Sequence, residues 1–424
     1  MVLGLIIVGM ILLSGCVLND NKIVKTTAEN DATKIIPKTL QLGNLCSGEA
    51  ECNTFCHDNK GRCKDYCANN PENEICQQLG FTKNNCDDIN AIKFDYAPVN
   101  LDKTTLLLPL GLMAGSHITP VDHHYFQNFA NKKFDIEIYS PGSGSITSIQ
   151  HMPEANEGED YRIVIDHTCS VSSIFIHVAL LSERLKSYAP PTNGYGGVNI
   201  PVEAGEIVGY YANNMDYSIA DTKIILPGFI FPEHYEPETW KVHTANIYDY
   251  FNEPVKGRLT EKSVRTAEPI SGKIDYDIEG KLSGNWFLEG SGGYFGKEKY
   301  AYWQGHLAIA YDYIDPERIV FSIAGYEGED SRQFGVKGNS PDPAEVSTEN
   351  GIIKYELVEY DWITPNGSPW DRKSLVKGLK TQSNELVQGI LLVQVLDNHK
   401  IKLELFSAAS EIMEFTTNVK IYER

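Results

Sequence analysis

Along most of the chain, apolar residues recur at every second position or in short unbroken runs, punctuated by Gly, Pro, Asn and Asp. Period two is the spacing of a strand with one buried face, and short apolar runs suit strands buried on both. Between residues 91 and 255 the pattern predicts strands at KFDIEIYS (133–140), GSITSI (144–149), YRIVIDH (161–167), VSSIFIHVAL (171–180), IPVEAGEIVGYYA (200–212) and MDYSIAD (215–221). From 256 to 424 it predicts GKIDYDI (272–278), GNWFLEG (284–290), HLAIAYDYI (306–314), RIVFSIAGY (318–326), GIIKYELVEYDW (351–362), ELVQGILLVQVLD (385–397), HKIKLELF (399–406) and EFTTNVKIYER (414–424). DPER (315–318) and DNHK (397–400) read as turns between antiparallel neighbours. So many antiparallel strands favour a barrel or sandwich over an open sheet. The expected class is mainly β: a sandwich over 91–255, then an antiparallel barrel over 256–424.

The start of the chain breaks this pattern. Residues 2–15 carry no charge and are almost all aliphatic or Gly. The run is short for a membrane span and right for the apolar core of a secretory signal. Its end, Leu13-Ser14-Gly15-Cys16, resembles the lipobox of prokaryotic lipoproteins. The resemblance implies that 1–15 is a signal peptide and that Cys16 carries the lipid. It places the protein on the outer face of the cell membrane, anchored rather than spanning. Residues 16–45 are polar and read as a flexible tether.

Seven of the nine cysteines follow in a cluster: Cys46, Cys52, Cys56, Cys63, Cys67, Cys76 and Cys86. With Cys169 they make eight, the even number expected of disulfides in an exported chain. The odd count inside the cluster points to one bridge reaching Cys169. ECNTFCHDN (51–59) repeats as RCKDYCANN (62–70), each with a Cys-x3-Cys pair. That spacing puts both thiols on one face of a helix, so residues 46–90 read as a small helical hairpin stapled by disulfides. A zinc site from these thiolates and His57 is the weaker alternative in an oxidising compartment. The net charge of −20 is spread along the chain, which excludes a nucleic-acid binder.

The order of elements between 91 and 255 resembles the lysostaphin-like zinc endopeptidases, murein hydrolases with a duplicated-hybrid-motif β-sandwich. YSPGSGSITSI, YRIVIDHTCSVSSIFIHVALLS and VEAGEIVGYYA carry the likeness. The family holds zinc with the His and Asp of an HxxxD motif and the second His of an HxH motif. The resemblance therefore assigns His117 and Asp122 of HITPVD, together with Asp216 of NMDYSI, as metal ligands. His177 takes the position of a catalytic histidine. The departures are chemical. His117 and Asp122 are one residue too far apart, Asp216 replaces a ligand histidine, and Asn214 replaces a histidine with a side chain that cannot shuttle a proton. Two carboxylates also weaken the power of zinc to acidify its water. These departures favour a fold without metal, in which His177 is a satisfied strand histidine.

Tyr235, Trp240 and Tyr248 offer stacking surfaces for a peptide or glycan, or equally a packed domain interface. In the last domain, Gly284-Asn285-Trp286 and the final Arg424 resemble the tryptophan–arginine closure of lipocalin-like barrels. Such a barrel holds a small apolar ligand or is simply filled. The resulting expectation is a lipid-anchored envelope protein, tied to the membrane through Cys16, whose degenerate peptidase-like domain binds or scaffolds an envelope peptide or glycan. The alternatives are a zinc endopeptidase acting on cell-wall or glycine-rich peptides, and a small-ligand carrier using the barrel.

Overall fold

The computed structural model describes residues 92–424 apart from 131–132, 153–158, 236–237, 297–302, 326–330, 398, 409–410 and 412–413. The expected signal peptide, Cys16, the tether and the cysteine-rich hairpin lie outside the described residues. Strands are numbered along the chain. One antiparallel sheet runs in the order β1 (Leu106–Leu108), β2 (His124–Gln127), β10 (Asn214–Asp221), β6 (Val171–Val178), β5 (Tyr161–Asp166), β4 (Gly144–His151), β8 (Tyr195–Val202). A smaller sheet pairs β3 (Ile136–Tyr139), β9 (Ile207–Tyr211) and β7 (Leu180–Leu181). One apolar core lies between them: Ile136, Ile138, Val208 and Tyr211 from the small sheet meet Ile146, Ile163, Phe175, Met215 and Tyr217 from the large one. Each such side chain contributes roughly 1.5–3 kcal/mol on burial. Helix α1 (Val255–Lys262) adds Val255 and Leu259 to the same core.

The C-terminal part is a closed eight-stranded antiparallel barrel in simple sequence order. Its strands are β11 (Gly284–Leu288), β12 (His306–Tyr311), β13 (Ile319–Ala324), β14 (Ser331–Val336), β15 (Ile353–Ile363), β16 (Lys380–Leu396), β17 (Lys400–Ser407) and β18 (Lys420–Glu423). Alternate residues point inward, and Leu307, Ile309, Phe321, Phe334, Tyr355, Leu391 and Leu403 fill the interior. Trp286 and Arg424 do meet: the guanidinium lies 3.7 Å from the indole centroid. The same guanidinium donates to the carbonyls of Lys281 and Ser283, and Asp277 sits 3.7 Å away.

Two differences from the sequence expectation have physical causes. GKIDYDI (272–278) forms no strand. Its Asp275 and Asp277 carboxylates accept instead from the backbone N–H groups of Gly228, Ile230 and Asn285. Gly228 is packed so closely that an added Cβ would sit 1.9 Å from the Asp275 carbonyl oxygen. Conversely, SRQFGV (331–336) is a barrel strand although its first half is polar. Pairing with β13 recruits it, with Phe334 inward.

Sandwich and barrel share further buried clusters. Leu106, Leu108 and Tyr125 pack with Tyr313, Trp362 and Trp370. Tyr235 and Val242 pack with Phe287 and Tyr294. Buried Arg265, just after α1, donates to the carbonyls of Ala267, Pro269 and Tyr313. Tyr235 and Tyr248 are therefore core residues, at 2% and 5% exposure, rather than stacking platforms.

Candidate functional site

The site lies on the face of the large sheet that points away from the sandwich core. On β10, Met215 and Tyr217 point into the core, so Asp216 between them points out. Asp216 stands opposite Tyr125 on β2 and Ile176 on β6, and partners across a ladder share a face. The HITPVDHH segment turns in ahead of β2 and is held by Lys241, whose Nζ donates to the Pro120 carbonyl at 2.7 Å. Lys241 is buried, reached from the short 3-10 turn at Thr239–His243.

Five side chains form an alternating carboxylate–imidazole chain across this face. Asp122 Oδ1 is 3.4 Å from His123 Nδ1, and His123 Nε2 is 3.2 Å from Asp216 Oδ2. The same Oδ2 is 3.4 Å from His177 Nε2, and His177 Nδ1 is 2.8 Å from Asp160 Oδ2. Asn214 donates to the other Asp216 oxygen at 2.7 Å, and Tyr125 OH lies 3.0 Å from His123 Nε2. His117 flanks the chain, its ring edge-on to His123 with centroids 5.8 Å apart.

The electrostatics follow from burial and neighbours. Burial opposes the charged form of His123, but Asp216 and Asp122 outweigh it and raise its affinity for a proton. Burial likewise opposes charge on His177, and Asp160 with Asp216 reverses it. Asp122 would be raised by burial, yet Lys241 and His123 hold it well below the usual carboxylate range. His117 is pushed down to about 4 by burial and by repulsion from His123 and Lys241. Burial raises the Asp216 carboxyl against the opposing pull of His123 and His177, and it lowers the Lys241 ammonium.

His177 owes its position to backbone geometry. It has φ 66°, rare for a residue with a side chain, and lies in a β-bulge where β5 and β6 lose register between the Tyr161–Val178 and Ile163–Phe175 pairs. The bulge turns its ring toward Asp160 and Asp216. Strained backbone of this kind persists only where the surroundings hold it.

His117, Asp122, Asp216 and His177, named from sequence, thus fall in one cluster. The sequence did not select His123 or Asp160. His123 lies between the two carboxylates proposed as ligands, 3.4 Å from Asp122 Oδ1 and 3.2 Å from Asp216 Oδ2. Among the described residues, no three His, Cys, Asp or Glu side chains are disposed to hold a metal ion. His123 sits immediately before β2, beside a residue already assigned, and no spacing rule distinguished it from its neighbours. Asp160 lies just outside a predicted strand, and only the bulge brings His177 to it.

Elsewhere, Cys169 is disulfide-bonded. Every other cysteine precedes residue 92, so its partner lies outside the described residues. A cavity of about 450 Å³ lies against Ile323, Leu403, Leu405, Thr416, Lys420 and Tyr422 of the barrel. Among the described residues, no helix is long and apolar enough to cross a membrane. Compared with models of known protein families and with curated proteins, the sequence finds no match, so the functional reading rests on the chain's own chemistry.

Proposed function

We propose that the protein is a lipid-anchored component of the cell envelope whose peptidase-like sandwich binds or scaffolds an envelope ligand without cleaving it. One observation carries the reading: the Nε2 atoms of His123 and His177 both face the same oxygen, Asp216 Oδ2. Where a hydrolytic site would set a divalent ion among its carboxylates, this face sets the imidazoles of His123 and His177, with Lys241 holding the Pro120 turn behind them. Asn214, where the family resemblance calls for a histidine, donates to Asp216 and cannot act as a general acid or base. The lipobox-like LSGC at 13–16 supports anchoring through Cys16, with the cysteine-rich module and tether as the stalk.

A zinc endopeptidase is the second reading. The 3.2 and 3.4 Å separations around Asp216 are long for charge-assisted hydrogen bonds of about 2.8 Å. They approach the roughly 3.3 Å spacing of neighbouring ligands on a tetrahedral zinc. Elemental analysis of the full chain purified without chelator, with a peptide-cleavage assay, separates the two. The binding reading predicts zinc far below one per chain and no turnover. Stoichiometric zinc lost in His117→Ala or His123→Ala, with cleavage, overturns it. Membrane fractionation tests the anchor: Cys16→Ala releases the protein, and its retention in the membrane fraction contradicts lipidation.

A further inference from the structure

Eight arginines fall among the described residues, and seven have evident polar partners. Arg184 pairs with Glu206, Arg258 with Asp102, Arg332 with Glu359 and Arg372 with Asp361. Arg265 and Arg424 are held by carbonyls, and Arg318 donates to Thr381. Arg162 is the exception. Its buried Nε has no hydrogen-bond partner, no ion pair forms at its guanidinium, and its face lies 4.5 Å from the centroid of Trp240. In a chain with 57 acidic residues and only 37 lysines and arginines, an unpaired arginine is not explained by a shortage of carboxylates.

Its position joins it to the site. Arg162 follows Asp160 by two residues, so both project to one side of β5, and it is the β5 residue that faces the His177 bulge. Glu238, Tyr195 and Asp122 are the titratable groups whose fields reach it, and none of them bonds to it. A guanidinium has five donors in a planar fork, and a partly buried one without acceptors bears an uncompensated desolvation cost. The ligand that removes this cost is a carboxylate held by two parallel N–H···O bonds. Trp240 beneath the plane fixes the fork without using any donor.

We propose that Arg162, supported by Trp240, is the anchor for a carboxylate on an acidic peptide bound across this face of the sandwich. The inference rests on the reading of the face as a binding site and names its ligand class. A neutral glycan, the other ligand considered for this face, brings hydroxyls but no charge to meet the guanidinium.

The test uses the full chain and two acetylated, C-terminally amidated dipeptides, Ala-Glu and Ala-Gln, which differ by one carboxylate. Binding is read from the Trp240 indole resonance, assigned by its loss in Trp240→Phe. The acidic peptide binds at least tenfold more tightly than the amide. Arg162→Met, which keeps the packing on the indole, abolishes that preference with an unchanged thermal midpoint. Should Arg162→Met misfold, Arg162→Lys keeps the charge without the fork and retains a reduced preference. Equal affinity for the two peptides, or a preference that survives in Arg162→Met, overturns the proposal. Binding of a β-1,4-linked N-acetylglucosamine trimer with neither peptide bound also overturns it, while leaving the binding reading of the face intact. Peptide cleavage would instead overturn that reading and leave the carboxylate preference measurable.

Discussion

Three arginines lie over tryptophans among the described residues, and two of them, Arg424 at the barrel and Arg162 at the sandwich, differ in their surroundings. Arg424 rests on Trp286 and is bonded to the carbonyls of Lys281 and Ser283, with Asp277 beside it. Arg162 rests on Trp240, and its buried Nε has no hydrogen-bond partner among the described residues. The first arrangement closes a structure. The second leaves a buried donor without an acceptor. The same contrast separates the two halves: the barrel interior is apolar, while the outer face of the sandwich gathers three carboxylates, three histidines and a lysine.

Truncating the barrel tryptophan tests this contrast most severely. Trp286→Ala removes a fully buried indole and strips Arg424 of its platform, and is expected to cost about 5 kcal/mol in urea unfolding. Arg424→Met comes next, at about 4 kcal/mol, because it leaves Asp277 buried without its cation. A loss under about 1 kcal/mol in either variant would mean that the barrel is not closed by this pair.

A buried carboxylate in the barrel sharpens the comparison through pH. Asp312 accepts from Ile314 N, Asp315 N and Trp362 Nε1, and from Tyr360 OH. Burial nevertheless outweighs these donors and raises its carboxyl to about 6. A folded-state value above the unfolded one means that the protonated form stabilises the fold. The contribution is complete below the unfolded value near 4 and is lost as pH rises through about 6. Asp312→Asn keeps the acceptor that binds the three N–H groups. Wild type should therefore lose up to about 3 kcal/mol relative to this variant between pH 4 and pH 7, as measured by urea unfolding. A constant difference across that range contradicts the shift.

The smallest expected effect belongs to the sandwich arginine. Arg162→Met breaks no polar contact and should change stability by less than about 0.5 kcal/mol, against the large loss in Arg424→Met. A comparable loss in both would make Arg162 a structural residue and remove the contrast.

The sequence made the strands legible wherever one face is buried, since period two survives any detail of packing. The DPER and DNHK turns fall between β12 and β13 and between β16 and β17, and the distant Trp286–Arg424 pair follows from one short motif. Asp275 and Asp277 were not legible as loop acceptors, because alternation alone makes GKIDYDI read as a strand. At the site, His117, Asp122, Asp216 and His177 were found through a family likeness that fixes positions but not contacts. His123, Asp160 and Arg162 depend on a turn held by Lys241 and on a bulge at His177, neither of which leaves a periodic trace. The bulge is a register shift of one residue between β5 and β6, and a sequence without its ladder does not reveal one.

The most direct test of the central claim is a crystal structure of the full chain grown with added zinc, with anomalous scattering recorded at the zinc edge. No zinc peak is expected on this face, with His123 between Asp122 and Asp216 and carboxylate contacts on both ring nitrogens. A strong peak with His117, Asp122 or Asp216 within about 2.2 Å of it would contradict the account and make the face a metal centre.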